Sequence, residues 1–318
     1  MSDCPILILV FNRPEETQQV FNRLRQIKPK QLFVGADGYR MHKEGEKDKV
    51  QAVRNIFLEQ IDWDCELKTL FREENLGCKR AVSGAISWFF EQVEYGVILE
   101  DDCIPHPDFI PFCADLLEHY KNQEEIMHIG GFNNLSSRNK SQHDYFFTHY
   151  SIVWGWATWR RAWKKLDLSL SSLSHIKQNQ HLLDKTFPNK YSRPYILEKW
   201  EKTATGELDS WAYAWSFSIA THEGLCILPQ QNLIENIGFG EEATHTQSET
   251  NLNTKYSDLR VTFPLRHIAI DNTNLNDLVD PKMDLNLFYA SQKSKFGLWL
   301  RYWMPSKLLQ TIKKLFNR

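Results

Sequence analysis

The chain has no C-x-x-C pair, and its six cysteines, Cys4, Cys65, Cys78, Cys103, Cys113 and Cys226, stand well apart. That spacing argues against a zinc knuckle or a dithiol centre and predicts reduced, mostly buried thiols in a cytoplasmic protein. A secretory leader is not expected either, because Ile6–Phe11 is too short for a signal-peptide core and no basic residue precedes it. No apolar run is long enough to cross a bilayer. An excess of charge of one sign is also lacking. With 38 basic and 40 acidic residues the net charge is -2, so nothing draws the chain as a whole to nucleic acid. Internal repeats are absent. The 318 residues suffice for one large core, or for a domain with an appendage.

Apolar runs are present, in alternating kinds. Pro5–Phe11 reads as a first, central strand, stopped by Asn12-Arg13-Pro14. Pro14 suits the first position of a helix, and Thr17, Val20, Phe21, Leu24 and Ile27 then recur at helical spacing. Leu32-Phe33-Val34 predicts a second strand, closed by Gly35-Ala36-Asp37-Gly38. Val50, Val53, Phe57 and Ile61 mark a helix, Leu67–Phe71 a third strand, and Leu76–Val93 another helix. This alternation predicts an α/β fold with a mostly parallel, Rossmann-like sheet and helices on both faces.

A fourth strand, Val97-Ile98-Leu99, ends abruptly in Glu100, Asp101 and Asp102. Ligands of open α/β sheets sit outside the carboxyl ends of strands. Three like charges there disfavour one another's ionisation. A divalent cation carrying a phosphate would relieve that cost, since magnesium takes carboxylate oxygens together with substrate phosphates. The plain alternative is a solvated acidic loop leading into a helix at Asp108.

Past the helix Asp108–Lys121 the rhythm changes. Met127–Ile129 and Tyr145–His149 predict strands around the polar loop Asn133–Asp144, followed by the tryptophan-dense Val153–Trp163. Residues 167–205 read as polar and irregular with some helix. Asp209–His222 predicts a helix, Leu225–Leu228 a strand, and Asn232–Thr246 a glycine-containing loop. From Leu285 onward seven basic side chains and no acidic one interleave with aromatics and leucines. Such a segment can lie as an amphipathic helical tail on an anionic membrane surface, or dock as an ordinary C-terminal helix. The expected organisation is a first half over 1–130, a second half of the same domain over 131–284, and the basic aromatic tail over 285–318.

The strand before Phe11-Asn12-Arg13-Pro14, Asp37 after the second strand, and Glu100-Asp101-Asp102 followed by Pro107-Asp108-Phe109 together resemble a GT-A glycosyltransferase. The pattern is similar to N-acetylglucosaminyltransferase I and related bacterial sugar transferases over residues 5 to 246, and is more specific before Gly130 than after it. The resemblance implies that Asn12 and Arg13 meet the diphosphate of a nucleotide sugar. It implies that Asp37 bonds the base, that Asp101 approaches the ribose or sugar, and that Asp102 ligates manganese or magnesium. Asp209, in Leu208-Asp209-Ser210-Trp211, matches the family's catalytic base, although Leu208 and Ser210 stand where the family has Trp and a second Asp. Gly155-Trp156 resembles a Gly-Trp beside the donor pocket, and His245 a histidine in a loop that closes over the diphosphate.

The implied activity is metal-dependent, inverting transfer from a UDP-sugar or another nucleotide-diphosphate sugar to a glycan or lipid-linked acceptor. Such an enzyme would be cytoplasmic, peripheral on the inner face of the membrane through its tail, and would serve polysaccharide synthesis. Lys79 or Arg80 could add positive charge near the diphosphate. Each residue also has a structural reading. Asp209 suits a helix N-cap, Asp37 a tight turn, His245 an exposed loop, and Trp156 the core. Arg13 at a helix N-terminus is disfavoured by the dipole, which suggests that it faces an anion. A sugar nucleotidyltransferase is the second enzyme class, but it would open with a glycine-rich loop that Phe11–Pro14 lacks. A non-catalytic nucleotide-sugar-binding module recruited to the membrane is the third possibility.

Overall fold

The computed structural model describes residues 4–135, 143–186, 192–238, 255–256, 260–270 and 275–290. Strand and helix alternate from the start: β1 (Ile6–Val10), α1 (Pro14–Ile27), β2 (Gln31–Ala36), α2 (Glu46–Glu59), β3 (Glu66–Phe71), α3 (Gly77–Gln92) and β4 (Tyr95–Glu100). The chain continues through β5 (Cys103–Pro105), α4 (Phe109–His119), β6 (Ile126–Gly130), β7 (Tyr145–Thr148), β8 (Trp156–Trp159) and α5 (Arg160–Trp163). Next come α6 (Leu173–Gln178), α7 (Gln180–Thr186), α8 (Arg193–Thr205) and α9 (Trp211–Thr221), then β9 (Leu225–Pro229), β10 (Ile234–Asn236) and α10 (Pro281–Ala290).

Among the described residues eight strands form one sheet in the order β3-β2-β1-β4-β8-β6-β9-β7, and β5 pairs with β10 in a separate ribbon. β1 lies between β2 and β4 in parallel register, with β3 parallel beyond β2. β8 runs antiparallel to both β4 and β6, β9 returns parallel to β6, and β7 runs antiparallel to β9. The expected two-faced α/β architecture is present, with its antiparallel strands gathered in the second half.

Side-chain alternation along β1 builds the two layers. Ile6, Ile8 and Val10 pack with residues of α1, α2 and α4, while Leu7 and Leu9 pack with residues of α3, α5 and α9. A strand covered on both faces must be apolar at every position, and all five residues of β1 are buried. Pro14 opens α1, whose buried side is Thr17, Val20, Phe21 and Leu24.

Three expectations change. Residues 167–205 are more helical than their sequence suggests: Leu173, Ile176, Leu183, Ile196 and Trp200 of α6–α8 form a third core with Ala214 and Phe217 of α9. α6 and α7, at 6 and 7 residues, are too short to show a period, so packing on α9 supplies what propensity does not. The loop expected at 232–246 contributes β10, which pairs antiparallel with β5. The boundary expected at 284/285 falls inside α10, where Asp284, Leu287 and Phe288 are buried. The segment from 291 onward and residues 136–142 of the polar loop lie outside the described residues. No helix among the described residues is long and apolar enough to cross a membrane.

Candidate functional site

Because β1, β2 and β4 are adjacent and parallel, their carboxyl ends place Phe11–Arg13, Asp37 and Glu100–Asp102 along one edge of the sheet. Asp101 and Asp102 are 3% and 8% exposed. The Arg13 guanidinium bridges them, Nη2 to Asp101 Oδ1 and Nη1 to Asp102 Oδ2, the latter at 2.9 Å. Asp101 Oδ2 accepts the Phe11 amide at 3.3 Å, and Asp102 Oδ1 accepts the Cys103 thiol at 3.3 Å. Arg13 does face an anion, but in this structure the anion is the protein's own pair of carboxylates.

The ribbon closes over this pair. The Ile237 amide donates to the Asp102 carbonyl at 2.9 Å, and Gly238 follows. A Cβ at position 238 would lie 2.0 Å from Asp102 Oδ2 and 2.9 Å from Arg13 Nη1, so any larger residue here would have to displace the ion pair or the ribbon. Among the described residues one guanidinium serves Asp101 and Asp102, with the buried Glu100 beside them. Burial first, then Asp102 and Asp101, push the Glu100 pKa up. Burial also raises Asp101, with Arg13 holding it back. Burial works against the charge on Arg13, but Asp101 and Asp102 outweigh it and raise its pKa.

Asp37 and Asp209 converge on the start of α3. The first amides of a helix have no partner inside it. Asp37, 8% exposed, accepts from the Leu76 amide at 3.1 Å, the Gly77 amide at 3.2 Å and Asn75 Nδ2 at 3.0 Å. Burial raises its pKa, and the Leu76, Gly38 and Gly77 amides restrain the rise. Its carboxylate thus holds the turn that opens α3. Asp209 does not cap its own helix. Ser210 does, accepting from Tyr213 N at 3.5 Å. Asp209 is exposed and reaches across to α3, where Oδ1 accepts the Lys79 amide at 3.3 Å. Gly77 has φ +78°, and a Cβ there would stand 3.0 Å from Asp209 Oδ2. Lys79 Nζ turns away to the Thr203 carbonyl at 3.2 Å, so its charge serves the α3–α8 contact.

Cys78, not singled out in the sequence, joins the two groups. Its thiol is pushed up to about 12 by burial, then by Glu100, Asp209 and Asp37. A second unforeseen group lies beside Asn12, whose Nδ2 donates to Glu46 Oε1 at 3.0 Å. Glu46, 4% exposed, also accepts Arg40 Nε at 3.0 Å and the Arg40 amide at 2.7 Å, and the Arg40 guanidinium lies 5.4 Å from the Phe11 ring centre. In sequence, Glu46 looks like any acid in the first turn of a helix, which is why it gave no signal.

Trp156 corrects an expectation. It is 0% exposed and sits among His128, Trp211, Trp163 and Trp215, with ring centres 5.0 to 6.0 Å away. As the first residue of β8, between β4 and β6, it is core and leaves no ring face for a ligand. His245 lies outside the described residues.

Among the described residues no three His, Cys, Asp or Glu side chains are grouped to hold a metal ion. The chemistry of the acidic edge nevertheless suits a hard cation, because its buried carboxylate oxygens carry more negative charge than Arg13 neutralises. Asp102 Oδ2, the oxygen that Arg13 Nη1 holds at 2.9 Å, is the one that would hold manganese or magnesium.

No protein-family description and no curated protein matches the chain. Among solved structures it is similar to a protein described as a glucose-1-phosphate thymidylyltransferase from Bacillus anthracis, in complex with a sucrose. The identity is 11% over 51% of this chain and 74% of that one, with a TM-score of 0.31. It is also similar to UDP-glucose pyrophosphorylase complexed with UDP-glucose, at 9% identity over 71% of this chain and 90% of that one, with a TM-score of 0.35.

Proposed function

We propose that the chain is a metal-dependent, inverting glycosyltransferase that moves a sugar from a nucleotide-diphosphate sugar, UDP-linked in the first instance, to a hydroxyl of a glycan or lipid-linked acceptor. One observation carries this reading: Asp101 and Asp102, buried beside Glu100 at the carboxyl edge of the central strands, share the single guanidinium of Arg13.

Transfer requires that the departing diphosphate be stabilised as its charge develops. Manganese or magnesium held by Asp102 would supply that stabilisation as a Lewis acid. Arg13 stands where its guanidinium can meet the same oxygens. Asp209 is the base. With Oδ1 on the Lys79 amide, it keeps lone pairs for the proton of the acceptor hydroxyl. As that proton passes to Asp209, the acceptor oxygen bonds the anomeric carbon and the electron pair of the breaking bond leaves on the diphosphate. A base on the face opposite the leaving group inverts the centre, as in inverting glycosidases, and such a base contributes about 10²–10⁴-fold. Asp37 is a positioning residue, since by capping α3 it holds Gly77–Lys79 against Asp209.

The test is turnover of UDP-sugars by the purified protein with and without manganese. Donor hydrolysis or transfer should require the metal and vanish in Asp102→Ala. Full activity in chelator, with that variant unimpaired, overturns the reading. Pyrophosphate released from a nucleoside triphosphate and a sugar 1-phosphate would make the chain a nucleotidyltransferase. Equal donor binding by wild type and Asp209→Asn, with no turnover by either, would make it a binding module.

A further inference from the structure

We infer that Arg13 is an internal stand-in for the divalent cation: it holds the metal-binding carboxylates while the site is empty and hands them over when cation and nucleotide arrive together. The inference rests on the metal-dependent reading above and adds to it an order of events and a coupling between two ligands.

The geometry leaves little choice of partners. Asp101 spends one oxygen on Arg13 and the other on the Phe11 amide. Asp102 spends Oδ1 on the Cys103 thiol and Oδ2 on Arg13 Nη1 at 2.9 Å. Asp102 Oδ2 is the oxygen the guanidinium holds, and a cation that takes it competes with Arg13 for the same lone pairs. Arg13 precedes α1 and makes no side-chain cap there, a place where the helix dipole disfavours a cation. The carboxylates keep it there. A guanidinium freed from them finds its best alternative in an oxyanion fork such as a diphosphate, whose negative charge at the N-terminus of α1 the dipole favours. The cation releases Arg13 to the diphosphate, and the diphosphate draws Arg13 off the carboxylates. Each ligand strengthens the other, and the coupling must be reciprocal.

The test measures manganese binding directly, by titration calorimetry and by the electron paramagnetic resonance of free manganese, with melting temperature as a second readout. Wild type, Arg13→Met and Arg13→Lys are each compared with and without UDP. Wild type should bind manganese weakly alone and about tenfold or more tightly with UDP. Arg13→Met should bind manganese alone about tenfold more tightly than wild type, and UDP should then add little beyond its own direct ligation. Manganese should also raise the melting temperature of this variant more than that of wild type at equal concentration, because the ion replaces a lost counter-charge. Arg13→Lys, which keeps the charge but not the fork, should gain affinity by a smaller factor and carries the comparison if the methionine variant does not fold. Unchanged or weaker manganese binding in both variants, with wild type still binding manganese and UDP together, overturns the stand-in role alone. Absence of manganese binding in every protein, even with UDP, overturns both this inference and the metal-dependent reading.

Discussion

His128 shows how one buried ring limits the pH range of the fold. Trp215 Nε1 donates to His128 Nδ1 at 3.3 Å. An indole N–H can only donate, so Nδ1 is bare and Nε2 carries the proton, which it gives to the Ile152 carbonyl at 3.1 Å. Burial pushes the His128 pKa down to about 3, and the bond to Ile152 offsets this only in part. The unfolded chain therefore takes a proton that the folded one refuses. Stability from this group is complete above about pH 6.5 and is lost as the pH falls toward about 3, at up to about 1.4 kcal/mol per pH unit. Urea titrations from pH 7 to 4 should show a shallower acid loss in His128→Gln, and parallel curves would refute the assignment. Gly238 acts at the same scale. Gly238→Ala sets a Cβ against Asp102 and should cost about 1–3 kcal/mol by forcing the ribbon or the ion pair to move. An unchanged denaturation midpoint would show that the close approach does not occur.

At the scale of the element, the N-terminus of α3 separates a structural carboxylate from the one assigned to chemistry. Asp37 is buried and satisfies three donors, so Asp37→Ala should lower stability by about 1–2 kcal/mol. Asp209 is exposed and makes one long bond to the Lys79 amide. Asp209→Asn should stay within about 0.5 kcal/mol of wild type in denaturant melts, yet lose about 10²–10⁴-fold in transfer. A large stability loss in that variant would recast Asp209 as a cap. The sequence singled out both aspartates but not their partners, because a carboxylate capping a helix from another element leaves no local spacing to read.

Across the whole molecule, the last described helix closes the far side of the sheet. Asp284 of α10 is 3% exposed and accepts from the Thr148 hydroxyl and from His149 Nδ1 at 2.7 Å. This buried contact ties α10 to the end of β7. Asp284→Ala removes the acceptor that both groups use and should cost about 1–3 kcal/mol, seen as faster hydrogen exchange in α10 and β7 with α1–β4 unaffected. Equal protection in both proteins would mean that the apolar contacts of Leu287 and Phe288 hold α10 alone. At this scale sequence reading was weakest, since α6 and α7 are too short to announce themselves.

The amino-acid sequence by itself determined the first half of the sheet and the acidic edge of β4, because a strand buried on both faces and a helix buried on one leave local signatures. It also marked Arg13 as a cation in a place it should avoid. Tertiary structure alone decided what those residues touch: Arg13 meets Asp101 across 88 positions of chain, Asp209 meets Lys79 across 130, and Trp156 sits in the core, without a free ring face. Contacts at such separations follow from which strands become neighbours, and the cooperative packing of two faces selects that order, which no stretch of the chain encodes alone.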